Sequence, residues 1–259
     1  MAKDHFIPKA YLRGFTREYL LGKKGGQLVV YNASSGNYGT LSINNYVACE
    51  PEFYNGHPLD KHWSRTIEQT WPNVRERLKA RETGDDLLDE LFWFVSAQFI
   101  RTSSYMNRVS RAIGWNQRKK MRVPLDGRPA TGIFVDTTST TDVMNEVQQK
   151  WPDARASLGE DYVWTVYHNS SSRLFLTSDD PCQLDDKTQD VVMPLALDVA
   201  IVGRIVVDGE SSHLRHCDAS PEMIKKINQG VVRRCKSLVY SHHESKELRR
   251  FVNETSRHA

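Results

Sequence analysis

The sequence predicts an α+β protein, a mainly antiparallel β-sheet packed against a helical layer with one long central helix. Three observations carry that expectation. Two stretches, from Leu59 onward and from Asp85 to Trp115, repeat apolar residues at helical spacing. The second half runs or alternates apolar over short lengths, in DYVWTVYH (161–168), RLFLTSDDP (173–181), VVMPLAL and VAIVGRIVV. The strongest helical pattern lies in the first half and most of the strands in the second, which suits a sheet with a helical layer on it. With 259 residues, 39% hydrophobic and 26% charged, the chain can bury a substantial core, and a single domain over residues 1–259 is expected.

Taken in order, DHFIPKAYLRGF (4–15) places a histidine, a proline, a tyrosine, an arginine and two phenylalanines where chains usually fray. Such a segment reads as a short helix docked on the core, or as a carrier of His5 and Arg13 to a site. After the flexible GKKGG turn, Leu28–Tyr31 and Leu41–Asn44 form a hairpin around NASSG. The helix from Leu59 buries Trp63, Ile67, Trp71, Val74 and Leu78, and Pro72 must kink or split it. The long helix begins at Asp85 and Asp86, acids that favour a helix N-terminus, and Gly114 stops it. A basic, turn-rich connection (116–129), a strand at GIFVDTT and a helix from Asp142 to about Trp151 follow. NSSS (169–172) joins two strands as a hairpin loop. HLRHC (213–217) reads as a solvated turn, because its histidines and cysteine lack a matching second half for a metal site. Ser220 and Pro221 open a helix, SLVYS is a short strand, and ESKELRRFVNE a terminal helix.

Composition narrows the setting. MAKDHF has charges where a secretory leader needs apolar residues, and no run approaches the roughly 18 apolar residues of a membrane span. The four cysteines are scattered without a CxxC pair, the pattern of reduced thiols, so a cytoplasmic protein away from membranes is expected. The net charge of +3 admits an anionic partner without demanding one.

Polar residues in apolar company mark the candidate site. Gln98 lies inside the stripe Leu88, Leu91, Val95, Thr102 and Tyr105, and Arg101 follows one turn later. A buried guanidinium requires a carboxylate, and Glu68 or Asp179 can supply it. A long side chain can also escape by snorkelling to the surface. Glu68 sits beside Ile67 and one turn before Trp71, a place that an ordinary surface glutamate also fills. In LFLTSDDP an apolar strand ends in two carboxylates. Asp180, directly before proline, reads as a turn cap, and Asp179 as the residue presented for chemistry.

These residues also carry a resemblance. HFIPKAYLRGF, IE (67–68), QFIRT (98–102), LFLTSDDP (174–181) and MPLAL (193–197) resemble, in order, the bacterial family catalogued as domain of unknown function 4238. Its polar motif positions fall on His5, Glu68, Gln98, Arg101 and Asp179. TSDDP departs from the pattern, many relatives having a neutral residue before the proline. The resemblance implies bacterial defence against phages, including action on viral DNA and its modified bases.

The expected function is therefore a nucleic-acid-directed hydrolase, most specifically a DNA glycosylase that needs neither metal nor cofactor. Asp179, Glu68 and His5 are the candidate catalytic residues, since a carboxylate can position water and stabilise an oxocarbenium-like state. Gln98, Arg101, Arg13 and Tyr11 are candidates for holding a flipped base and its phosphate. Arg118, Lys119, Lys120, Arg122 and Arg128 form the densest basic run and are the expected DNA contacts. Further basic pairs stand in VVRRCK and ELRRF. The alternatives are a magnesium-dependent nuclease and a sensor that binds a nucleotide or phage component without turnover.

Overall fold

In the computed structural model, residues 3–5, 7–21, 26–44, 47–51, 54, 56–102, 105–113, 139–185, 188–206 and 213–256 are described, residues 3–5 and 49–51 by their backbone alone. Strand β1 (Lys3–His5) pairs antiparallel with a later strand, Cys49–Pro51, which places His5 opposite Cys49. Next come α1 (Lys9–Leu12), a 3-10 turn (Arg13–Phe15) and α2 (Arg17–Leu20). The expected hairpin forms from β2 (Gln27–Asn32) and β3 (Tyr38–Ser42), and the partner of β1 is β4 (Cys49–Pro51). Asn32 closes the hairpin turn by accepting from the Ser34 and Ser35 amides at 3.0 and 2.8 Å, and Gly36 supplies a φ of +69°.

The split expected at Pro72 occurs. Helix α3 (Pro58–Trp63) runs into a π-helical stretch, Ser64–Glu68, and α4 (Trp71–Lys79) restarts with Pro72 in its first turn. In the wide turn the Thr66 hydroxyl donates to the His62 carbonyl at 2.7 Å, competing with the backbone ladder.

The long helix is shorter than the pattern suggests. Helix α5 spans Asp85–Ile100 and stops at Arg101. The Thr102 hydroxyl then accepts from the Tyr105 amide at 3.3 Å and so caps a new helix, α6 (105–113). An apolar stripe persists across such a break, and for that reason periodicity overran it. The longer helix is α7 (Thr140–Glu160), 21 residues, opened by a Ser139–Asp142 capping box and continuing through Pro152.

The strands form two larger sheets. The first has the order β10 (Leu214–Asp218), β5 (Tyr162–His168), β9 (Val199–Ile205), β8 (Val191–Pro194) and β7 (Gln183–Leu184). All its pairs are antiparallel except β5 with β10. The second has the order β3, β2, β11 (Leu238–Ser241) and β6 (Thr177–Ser178), all antiparallel.

Two expectations are overturned here. HLRHC is no turn but the edge strand β10. Residues 161–168 and 173–181 are not a hairpin, because they enter different sheets. Buried Asn169 turns the chain away from the first sheet, donating to the Arg173 carbonyl at 2.7 Å and accepting from the Ser171 amide at 2.9 Å. Asn228 of α8 (Pro221–Arg234) then donates to the Leu174 carbonyl at 3.0 Å and accepts from the Leu176 amide at 2.9 Å. A helix side chain thus satisfies backbone groups that a strand neighbour would otherwise take. The strand expected at GIFVDTT lies outside the described residues. Helix α9 (Lys246–Ser256) closes the order. Among the described residues no helix is long and apolar enough to cross a membrane.

Helices and sheets meet at an aromatic cluster. Trp71 stacks on Phe94 with ring centroids 3.6 Å apart, and Tyr11 packs against both. The Tyr11 hydroxyl donates to the Pro194 carbonyl at 2.6 Å and accepts from the Thr177 hydroxyl at 2.8 Å, so one side chain holds β8 of one sheet and β6 of the other. Close by, the Gly14 carbonyl accepts from the Leu197 amide at 2.9 Å, and a Cβ at Gly14 would stand 3.1 Å from the Leu195 carbonyl oxygen. Tyr11→Phe leaves two buried partners unpaired, so urea unfolding should show a loss of about 1–3 kcal/mol with an unchanged m-value.

Candidate functional site

The residue that caps the end of α5 is a buried cation. Arg101 is 1% exposed, and its Nη1 donates to Glu68 Oε1 at 2.6 Å. Its Nε donates to the Tyr54 hydroxyl at 2.9 Å, and the guanidinium carbon lies 5.1 Å from the Trp63 ring centroid. The π-helical stretch carries Glu68, and α3 carries Trp63, so a wide helical turn and the end of α5 build this pair together. Burial pulls the guanidinium's pKa down, but Tyr54 and Glu68 more than offset it, and the net shift is upward. Burial likewise pushes the Tyr54 phenol up. The carboxylate anticipated for Arg101 is thus Glu68, and Asp179 makes no ion pair with it.

Gln98, one turn earlier, is fully buried, and among the described residues neither its amide oxygen nor its amide nitrogen has a hydrogen-bond partner. The same holds for the indole nitrogens of Trp63 and Trp71. Buried polar atoms are nearly always paired, so each of these carries a cost to the folded state.

Asp179 has a different environment. Its Oδ1 accepts from the Lys236 amide at 2.9 Å, and its Oδ2 accepts from the Ser237 and Leu238 amides at 2.9 and 3.0 Å. The carboxylate therefore shapes the turn between α8 and β11. Burial pushes it up to about 6, against the pull of the three backbone donors. Sequence logic treated it as a presented base, but its oxygens are already engaged.

The neighbouring residue opens on solvent. Asp180, with Thr102, Phe99, Arg108, Arg111, Arg234 and Lys236, lines a cleft of about 440 Å³. Two of the motif segments, QFIRT and TSDDP, face each other across it. Arg234 pairs with Asp185 at 2.9 Å. Among the described residues Arg108, Arg111 and Lys236 have no carboxylate within ion-pair distance, so the cleft carries a net positive field. The Arg108 guanidinium lies 5.9 Å from the Phe99 ring centroid and 5.4 Å from that of Tyr105.

The remaining candidates divide. Arg13 is exposed on its 3-10 turn, whereas Tyr11 is wholly buried with its hydroxyl engaged between the sheets. His5 is placed only by the backbone of β1, beside β4, and its side chain lies outside the described residues. Arg118, Lys119, Lys120, Arg122 and Arg128 also lie outside them. Sequence reasoning missed Tyr54 and Trp63, which look like ordinary core aromatics. It also missed Arg108 and Arg111, although their spacing of three places both on one helix face.

Three outcomes follow. Glu68→Gln removes the carboxylate to which buried Arg101 donates and should lower stability by up to about 3 kcal/mol in chemical denaturation. Gln98→Met removes two unpaired polar atoms at similar volume and should raise stability by about 1–2 kcal/mol. For Asp179 the folded-state value near 6 exceeds the ordinary 3.8, so the folded protein binds the proton more tightly than the unfolded chain. Its contribution is fully present below about pH 4 and is lost as pH rises through 6. Unfolding free energies measured from pH 4 to 7 should therefore decline, and more shallowly in Asp179→Asn.

Comparison with known proteins finds no match among curated proteins and none among solved structures. The family model described as "Protein of unknown function (DUF4238)" matches residues 3–245, nearly the whole length, and the chain belongs to that family.

Proposed function

We propose that this protein is a nucleic-acid-directed hydrolase of bacterial anti-phage defence, most specifically a DNA glycosylase excising a modified base. The observation that carries the reading is the cleft itself, where Arg108, Arg111 and Lys236 line one groove with Phe99 and have no ion-pair partner among the described residues. Unpaired cations in one groove suit a phosphate backbone, and an aromatic floor suits a base, because every base has a π-face to stack. The described lining of the cleft offers one carboxylate, Asp180. In this reading Asp180, which lines the cleft, orients the attacking water, while Asp179 is held by three backbone amides. The water oxygen bonds the anomeric carbon, the N-glycosidic electron pair leaves with the base, and the water's proton passes to the carboxylate. Gln98, expected to hold a flipped base, is fully buried and stands outside the described lining of the cleft. Glu68 and Arg101 brace the end of α5, next to Thr102 of that lining.

Two measurements test the reading. Anisotropy of labelled DNA should show salt-sensitive binding, and the double variant Arg108→Ala/Arg111→Ala should reduce the slope of log K against log salt by roughly two. Incubation with phage DNA in EDTA should release a base and leave abasic sites, and Asp180→Asn should abolish them. Strand cleavage that EDTA stops would replace this reading with the nuclease. Binding without any product would replace it with the sensor, and no binding to DNA at all would end both enzyme readings.

A further inference from the structure

Helix α8 and strand β11 each have two ends, and the basic cleft uses only one. Arg234 closes α8 and Lys236 precedes β11 at the cleft. At the other end, Lys225 and Asn228 of α8 and Ser241 of β11 border a second cavity of about 490 Å³, within the usual range for small-molecule sites. Lys225 and Arg234 are nine residues apart on one helix, about 14 Å along its axis, so the two openings are separate.

The walls of this cavity differ in character. Leu174, Leu176, Leu248 and Phe251 make an apolar side. Arg173, in the bend before β6, and Lys225 of α8 are exposed in the same lining, and among the described residues neither has an ion-pair partner. His242 and His243 add imidazoles whose Nδ1 atoms lie 3.2 Å apart, so one donates to the other. Glu247 is the single acid of the described lining.

The frame around these groups is already set. Asn228, 4% exposed, spends its amide on the backbone of Leu174 and Leu176. The Tyr31 hydroxyl donates to the His243 carbonyl at 3.3 Å and accepts from the Ser245 amide at 3.4 Å, holding the turn after β11. Ser245 in turn caps α9, its hydroxyl accepting from the Leu248 amide at 2.9 Å. A site whose walls are fixed before binding loses less entropy when a ligand enters.

We propose that this cavity binds a nucleoside monophosphate, its phosphate between Arg173, Lys225 and the His242–His243 pair and its base against Phe251 and Leu248. Two unpaired cations and two imidazoles suit a compact dianion, and the apolar side suits a flat ring better than a sugar alone. The inference does not rest on the nucleic-acid reading of the cleft.

Calorimetric titration of the full-length protein with AMP, GMP, CMP and UMP tests it, with inorganic phosphate and ribose 5-phosphate as controls. At least one nucleotide should bind measurably and more tightly than either control. Lys225→Glu and Arg173→Glu, both at exposed positions that should not disturb folding, should each weaken it by roughly tenfold or more. Phe251→Leu keeps apolar volume but removes the ring, and should weaken nucleotide binding while leaving phosphate binding unchanged. The proposal is overturned if no nucleotide binds at millimolar concentration, if both charge reversals leave affinity intact, or if ribose 5-phosphate binds as well as the nucleotides.

Discussion

A cation taken out of water sets the terms for the middle of this molecule. Arg101 is nearly inaccessible, and an isolated guanidinium there would cost far more than the margin by which domains are stable. Glu68 and Tyr54 make its burial tolerable, and each arrives from a different direction. Glu68 ends the π-helical stretch, and Tyr54 follows β4, the partner of the N-terminal strand. Helix α5 therefore cannot be packed independently of the loop after β4 or of the wide turn before α4.

The same geometry orders the surface. Because α5 stops at Arg101, Thr102 is free to cap α6, and α6 carries Arg108 and Arg111 to the cleft. On the far wall, Asp179 binds three successive amides and so fixes the turn that bears Lys236. Asp179 thereby acts on the cleft through the backbone, and half-buried Asp180 is the carboxylate that lines it. Two adjacent aspartates have divided a structural role from an accessible one, the usual result when one is buried and the other is not.

Tyr11 plays the corresponding part between the sheets. Its hydroxyl reaches β6, two residues before Asp179, and also β8, so the N-terminal segment is bound into the core rather than laid over it. That arrangement accounts for Tyr11 and Phe15, whose rings pack together in the core, by packing and hydrogen bonding. Its neighbour Gly14 allows an approach to Leu195 that a side chain would crowd.

Local physics determined much of this protein from the sequence alone. Alternation and turn chemistry settled the β2–β3 hairpin, Pro72 settled the helix split, and Ser220 with Pro221 settled the start of α8, because each depends on neighbours within a few residues. The need of Arg101 for a carboxylate was legible too, since burial of a charge is costly whatever the fold. Which carboxylate answers it, whether 173–176 is a strand, and which of two aspartates meets solvent were decided only in three dimensions. Asn228 lies more than fifty residues from the backbone it satisfies, and the amides that hold Asp179 lie as far away. Periodicity records which face of an element is apolar, but only the fold determines what that face meets.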